Sequence, residues 1–111
     1  MTDAQKMQAT EALNWFWSEA FGVKAEDVEF DNESAVPFYY TDTLDGKHGI
    51  QFYADFVNLR IYFEVDNEIQ SETQFDSFKE LCDYIGTWMT ESGIVGDADE
   101  ICYENGLCDF R

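Results

Sequence analysis

Positive charge is scarce in this chain of 111 residues: six Lys plus Arg stand against 24 Asp plus Glu, a formal net charge of −18 at pH 7. Neutralising phosphates requires Lys and Arg, so direct binding to nucleic acid or to an anionic membrane surface is not expected. A basic protein is the natural complement. Proline is nearly absent, with Pro37 alone. No Pro/Gly/Ser-rich linker and no internal repeat divides the chain, so one domain over 1–111 is expected. No apolar run approaches the ~20 residues of a membrane span, and the first residues lack the basic-then-apolar order of a signal peptide. Three Cys cannot all pair and none forms a CxxC, which points to a reducing, cytoplasmic setting.

Catalytic text is also missing. There is no Gly-rich phosphate loop, no HExxH and no GxSxG. His48 is the one His, placed between Lys47 and Gly49 in an expected turn, where an exposed and inert side chain is the simpler reading. Cys82 falls on an apolar helix stripe and reads as a buried small hydrophobe. Cys102 and Cys108 flank an Asn-Gly turn as diagonal neighbours, which leaves a disulfide open but makes a poor zinc site without His. Asp97-Ala-Asp-Glu opens like a calcium loop, but Cys102 stands where that loop needs Gly and Cys108 where it needs Glu. The few cations are scattered at Lys6, Lys24, Lys47, Arg60, Lys79 and Arg111, so no cluster is expected to stabilise developing negative charge. Neither an enzyme nor a bound cofactor or metal is expected.

What the chain has instead is apolar and aromatic material: 45% hydrophobic and 17% aromatic residues, with ten Phe, six Tyr and three Trp. That is enough for a packed core despite the charge. Thr2 with Gln5 reads as a capping box opening a helix. Leu13, Phe16, Trp17, Ala20 and Phe21 form its apolar stripe, and Gly22 ends it. Trp15 lies off the stripe, either exposed or covered by a loop. Val28 and Phe30 alternate with acids between Glu26 and Glu33, as in a short edge strand or extended loop. Phe38 to Thr43 is β-rich, and Asp45-Gly46 marks a turn. Ile50, Phe52, Ala54 and Phe56, then Leu59, Ile61, Phe63 and Val65, alternate with polar residues across a short connection near Asn58. Such alternation predicts an antiparallel hairpin with one buried face. Ser71 with Gln74 reads as a second capping box. The helix it opens runs to about Glu91, with a core stripe of Phe75, Phe78, Cys82, Ile85 and Met89, and Gly93 and Gly96 ending it. Asn105-Gly106 predicts a terminal hairpin. The fold class is therefore α+β: an N-terminal helix, an antiparallel sheet of three or more strands, a second helix on one sheet face and a C-terminal hairpin.

The acids fall into groups. Asp76, Glu80 and Asp83 are spaced for one face of the second helix, with a rise of about 5 to 6 Å between successive members, close to the separation of neighbouring phosphates. Glu26, Asp27, Glu29, Asp31 and Glu33 make another group, and Asp97, Asp99, Glu100 and Glu104 a third. Tyr53, Asp55, Tyr62, Glu64 and Asp66 share the outer face of the hairpin, a mixture of rings and carboxylates suited to docking on Arg and Lys. The candidate contact residues are therefore Asp76, Glu80, Asp83, Asp55, Tyr53, Tyr62, Glu64, Asp66, Glu29 and Asp31. A compact chain of this length is about 34 Å across. Duplex DNA of that length carries about 20 charges, close to the number here. An acidic surface suited to high salt, or charge kept for solubility, accounts for the same number.

Ala35-Val-Pro-Phe-Tyr-Tyr-Thr-Asp42 resembles an Ala-Val-Pro-x-Tyr-Tyr-x-Asp segment of the phage overcome-classical-restriction family. In size, charge and lack of catalytic text the whole chain resembles the small acidic phage inhibitors of bacterial defence, anti-restriction and anti-CRISPR proteins that imitate DNA. The local match covers eight of 111 residues. In that family the segment leads into a helix, whereas here Asp45-Gly46 interrupts it, so that family's fold is not implied. The resemblance implies a non-enzymatic DNA mimic, acting in the host cytoplasm if phage-encoded. Its partner would be a basic DNA-binding protein or ribonucleoprotein complex of host defence. Two other classes fit the composition: an immunity protein against a basic nuclease toxin, and a binding adaptor from an acid-rich proteome. Acids spread from Asp3 to Asp109 favour the mimic over the immunity protein, whose charge would gather on one patch around a few aromatics.

Overall fold

The computed structural model describes residues 2–22, 35–43 and 46–104. The fold is α+β. The elements are α1 (Asp3–Phe21), β1 (Val36–Asp42), β2 (Gly49–Asp55), β3 (Arg60–Val65), β4 (Glu68–Gln74), α2 (Phe78–Asp83), a π-helical turn (Tyr84–Trp88) and α3 (Glu91–Glu104). The strands form one antiparallel meander in the order β1-β2-β3-β4.

Helix α1 begins at the expected capping box: the Gln5 N–H donates to Thr2 Oγ1 at 3.1 Å, and the Thr2 N–H donates to Gln5 Oε1 at 2.9 Å. Gly22 closes it at φ 66°, a left-handed conformation costly for other residues, with its N–H on Ser18 O. The buried side of α1 is Ala9, Ala12, Leu13 and Phe16, rotated from the expected stripe so that Phe21 is 48% exposed. Trp15 and Trp17 pack against the core at partial burial, and Trp17 Nε1 donates to Phe38 O at 2.7 Å.

The hairpin of β2 and β3 follows the alternation. Ile50, Phe52, Ala54 and Phe56 from one arm, and Ile61, Phe63 and Val65 from the other, are all buried. Phe16 closes over this face at the β1 end. Its ring lies 5.3 Å from Phe38 and 5.7 Å from Tyr39 in edge-to-face geometry. The aromatic series continues from Tyr39 to Phe52 and from Phe52 to Phe63, each pair at 5.6 Å. Phe38 and Tyr39 are neighbours in sequence yet both buried, because a bulge between Pro37 and Tyr39 shifts the β1–β2 register. The resembling segment Ala35–Asp42 is thus mostly strand β1.

The second half of the chain departs from expectation. Ser71 and Gln74 do not cap a helix; they lie in β4. The two-residue turn Asp66-Asn67 has φ 51° and 72°, the left-handed pair of a tight hairpin, and it returns the chain to the sheet for a fourth strand. The helix starts later, at Ser77, whose Oγ accepts the Glu80 N–H at 3.1 Å. It does not run unbroken to Glu91. After six residues it widens into the π-helical turn, Met89 turns extended (ψ 131°), and α3 restarts where Thr90 Oγ1 accepts the Gly93 N–H at 3.2 Å. Gly93 and Gly96 therefore sit inside α3 rather than ending a helix, since Thr90 supplies the missing acceptor ahead of them. Of the expected core stripe, Cys82, Ile85 and Met89 are buried, with Leu81 added, while Phe75 and Phe78 pack at its margin. Gly86 meets α1 closely: a Cβ there would stand 3.3 Å from Ala12 Cα, so glycine is what allows this approach. Ile101–Glu104, expected as strand, form the end of α3. Asn105-Gly106, Asp45 and the Glu26–Glu33 segment lie outside the described residues. Among the described residues no helix is long and apolar enough to cross a membrane.

Phe16, fully buried, and Trp88, 73% exposed, make a paired test of this packing. Phe16→Ala is expected to destabilise the fold by about 3–5 kcal/mol, and Trp88→Ala by less than about 0.5 kcal/mol, in urea unfolding followed by circular dichroism.

Candidate functional site: the outer face of the sheet

The strand register sets two rows of side chains across the face opposite the core. Pro37, Tyr53, Tyr62 and Glu72 form one row, and Tyr40, Gln51, Glu64 and Ile69 the next. All are half-buried or exposed, with Tyr40 57% and Ile69 52% exposed. Tyr53 and Tyr62 stack at the centre, ring centroids 5.0 Å apart and 11° from parallel. Tyr53 Oη donates to Gln51 Oε1 at 2.5 Å. Arg60 extends the stack, its guanidinium carbon 5.6 Å from the Tyr62 centroid. It is already shared between two acids, with Nε 3.6 Å from Asp55 Oδ2 and Nη1 3.6 Å from Glu72 Oε1. Burial, reinforced by the Glu64 carboxylate, raises both tyrosine pKa values, so Tyr53 and Tyr62 keep their protons. Tyr40 Oη donates to Asp42 Oδ1 at 3.2 Å, and that bond raises its pKa too. The result is a patch of ring faces and neutral hydroxyls bordered by carboxylates, able to stack on guanidinium planes and to take them bidentately at its rim.

The expected contact residues separate on this geometry. Tyr53, Tyr62 and Glu64 come together on the patch. Asp55 does not present itself to a partner. Only 3% exposed, it accepts the N–H groups of Val57 at 3.0 Å and Asn58 at 2.9 Å, and Asn58 Nδ2 at 2.9 Å. Its carboxylate stands in for the backbone acceptors that the 56–59 turn lacks, beside Leu59 at φ 56°. Asp66 is exposed but engaged: Oδ1 accepts the Gly49 N–H at 3.1 Å, and Oδ2 pairs with His48 Nδ1. His48 is accordingly not an idle turn residue; it helps tie the β2 start to the β3–β4 turn.

Asp76, Glu80 and Asp83 do not make one free helix face. Asp76 precedes α2, and its N–H donates to Glu80 Oε2 at 3.2 Å, while Asp83 pairs with Lys79 at 2.5 Å. Glu29 and Asp31 lie outside the described residues. Cys82 is buried and its thiol is pushed up to about 11, first by that burial, which suits an inert packing role. Among the described residues no group of three or more His, Cys, Asp or Glu could hold a metal ion.

Tyr40, Ile69 and Glu72 are among the patch members absent from the expected contact residues. Ile69 and Glu72 required β4, and the available signal was Asp66-Asn67, two residues tolerant of left-handed φ between two strand-like runs. Trp88 was the exposed tryptophan, not Trp15.

Asp55 and Asp66 also set an acid limit. The His48 hydrogen bond and then the Gly49 N–H hold Asp66 below the ordinary carboxylate value. Burial pushes Asp55 up, but the Asn58 and Val57 donors and Arg60 together outweigh it and leave it lowered. Lowered folded values mean that both groups contribute stability above the unfolded carboxylate range, and that the contribution is lost as pH falls through the folded values. Acidification below about pH 4 should therefore lower the urea midpoint through these groups. Asp55→Asn should flatten that acid limb and cost about 1–3 kcal/mol at neutral pH. Identical acid limbs in parent and variant would place the loss elsewhere.

Compared with known proteins, the chain matches no family model, no curated protein and no solved structure.

Proposed function

We propose that this chain is a non-enzymatic inhibitor that occupies the basic DNA-binding surface of a bacterial defence nuclease or CRISPR effector complex, acting as a DNA mimic. The observation that carries the reading is the outer sheet face. On a chain of net charge −18, it sets Glu64 and Glu72 beside the Tyr53–Tyr62 stack and Asp42 beside Tyr40 farther along the same face, with Arg60 already neutralised by its neighbours. Arg and Lys that normally hold phosphates would meet carboxylates at the rim and ring faces at the centre. Long-range attraction would speed the encounter, and bidentate pairs would fix its orientation.

The concentration of aromatics at the centre of an acidic rim supports a second reading, an immunity protein against a basic nuclease toxin, because hot-spot interfaces gather around such anchors. Both readings place the same patch on a nucleic-acid-handling surface and differ in the partner.

The test begins with purified protein as bait against lysates of defence-carrying bacteria, eluted by a salt gradient. An effector whose capture weakens at least about tenfold between roughly 50 and 200 mM salt, and which duplex DNA displaces, is the expected result. A secreted nuclease toxin instead selects the second reading. Capture that saturating DNA leaves untouched rejects the mimic. With the partner in hand, the triple change Asp42→Asn, Glu64→Gln and Glu72→Gln should weaken binding at least about tenfold. The triple change Asp76→Ala, Glu80→Ala and Asp83→Ala should cost less, since those acids lie away from the stacked rings of the patch.

A further inference from the structure

The opposite side of the sheet carries a separate feature. Between the β3–β4 half of the inner face and α3 lies a cleft of about 380 Å³. Phe52, Ile61, Phe63, Met89, Ile94 and Ala98 make its apolar lining. Ser71 and Thr73 of β4 border it on the sheet side, and Glu100 and Glu104 of α3 on the helix side. Because β4 is the last strand of the sheet, the cleft reaches the sheet edge. Among the described residues no strand pairs with β4 on its outer side. A β-strand edge offers a row of N–H and C=O groups, and natural edges are usually shielded by Lys, Pro or a covering element. Here Glu68 and Glu72 stand on the strand itself, and Glu72 points to the Tyr62 side while Ser71 and Thr73 face the cleft.

We infer that the β4 edge and the cleft beside it form one peptide site, which takes an extended partner segment alternating apolar and basic residues. An added strand would project one set of side chains beside Ser71 and Thr73 into the apolar cleft, and the other set toward Glu72 on the outer face. Charge chooses the occupant. A second copy of this chain would bring −18 against −18 and glutamates against glutamates, whereas the outward Lys and Arg of a basic segment meet Glu72, with Glu68, Glu100 and Glu104 adding attraction at longer range. Backbone pairing supplies affinity independent of side chains, and the cleft supplies selectivity for an apolar anchor. The site shares Glu72 with the outer-face patch, but it alone needs the strand edge and the inner face.

The probe is a synthetic nonapeptide alternating Lys with Val or Leu. Two further versions of it are N-methylated at alternate residues along one edge or along the other. Strand addition requires that methylation of one edge weaken binding at least about tenfold while the other edge changes it by less than about twofold. In hydrogen exchange, amides within Glu68–Gln74 should gain protection on binding, and NMR shifts should appear at Met89, Ile94 and Ala98. Equal binding of all three peptides would mean simple charge attraction and overturn the proposal. So would β4 amides already protected at both edges in the free chain, or self-association through β4, because either would mean that the site is filled without a partner.

Discussion

Burial of Phe16 against the aromatic inner face of the sheet is the contact on which the rest of the structure depends. It joins α1 to β1 through Phe38 and Tyr39, and through them to the hairpin at Phe52. A chain of charge −18 repels itself, so its apolar area has to be gathered on one side where no carboxylate intrudes. Asp55, a buried acid, is tolerated because the Val57 and Asn58 donors of its turn point at it. The other carboxylates of α1, the strands and α2 stay at least partly exposed, and that one-sidedness is what leaves a ring-and-carboxylate surface opposite the core.

Acid count and available acid are different quantities here. Asp66, Glu80, Asp83 and Asp55 each hold a backbone N–H or a cation of this same chain. Glu72 shares Arg60 with Asp55 across a gap of 3.6 Å and stays exposed, which leaves oxygen atoms for a partner. A surface that imitates phosphates must present carboxylates that are not consumed at home. By that criterion the outer sheet face and α2 differ little, since Asp42 holds Tyr40 and Glu72 holds Arg60 much as Asp83 holds Lys79. The stacked rings beside the acids are what set the sheet face apart.

The parts legible in the sequence were those governed by short-range rules. Thr2 with Gln5 and the αL residue Gly22 bounded α1, and period-two alternation placed both arms of the central hairpin. The failures have equally definite causes. Ser71 and Gln74 satisfy a capping-box pattern, but the left-handed pair Asp66-Asn67 commits the following residues to the sheet before a helix can start. Phe75 through Met89 keeps helical spacing even though the backbone widens at Tyr84–Trp88, since a π-turn adds a residue without changing which side chains are apolar. Of the site, the Tyr53–Tyr62–Glu64 centre was readable from alternation. Tyr40 was not, because alternation counted from Phe38 places it with the core.

That last point traces to the bulge in β1. By burying Phe38 and Tyr39 in succession, it reverses the phase of everything that follows, and Tyr40 emerges on the outer face opposite Gln51. The two faces of this strand are thus assigned by one inserted residue rather than by residue type. A homologue lacking Pro37 would pair without the bulge and carry the Phe38 ring out of the core to stand opposite Tyr53, whereas one lacking Phe38 would keep both faces and lose that core ring. Length at this position, read with which residue is lost, is the character by which relatives sharing this surface could be told from those that do not.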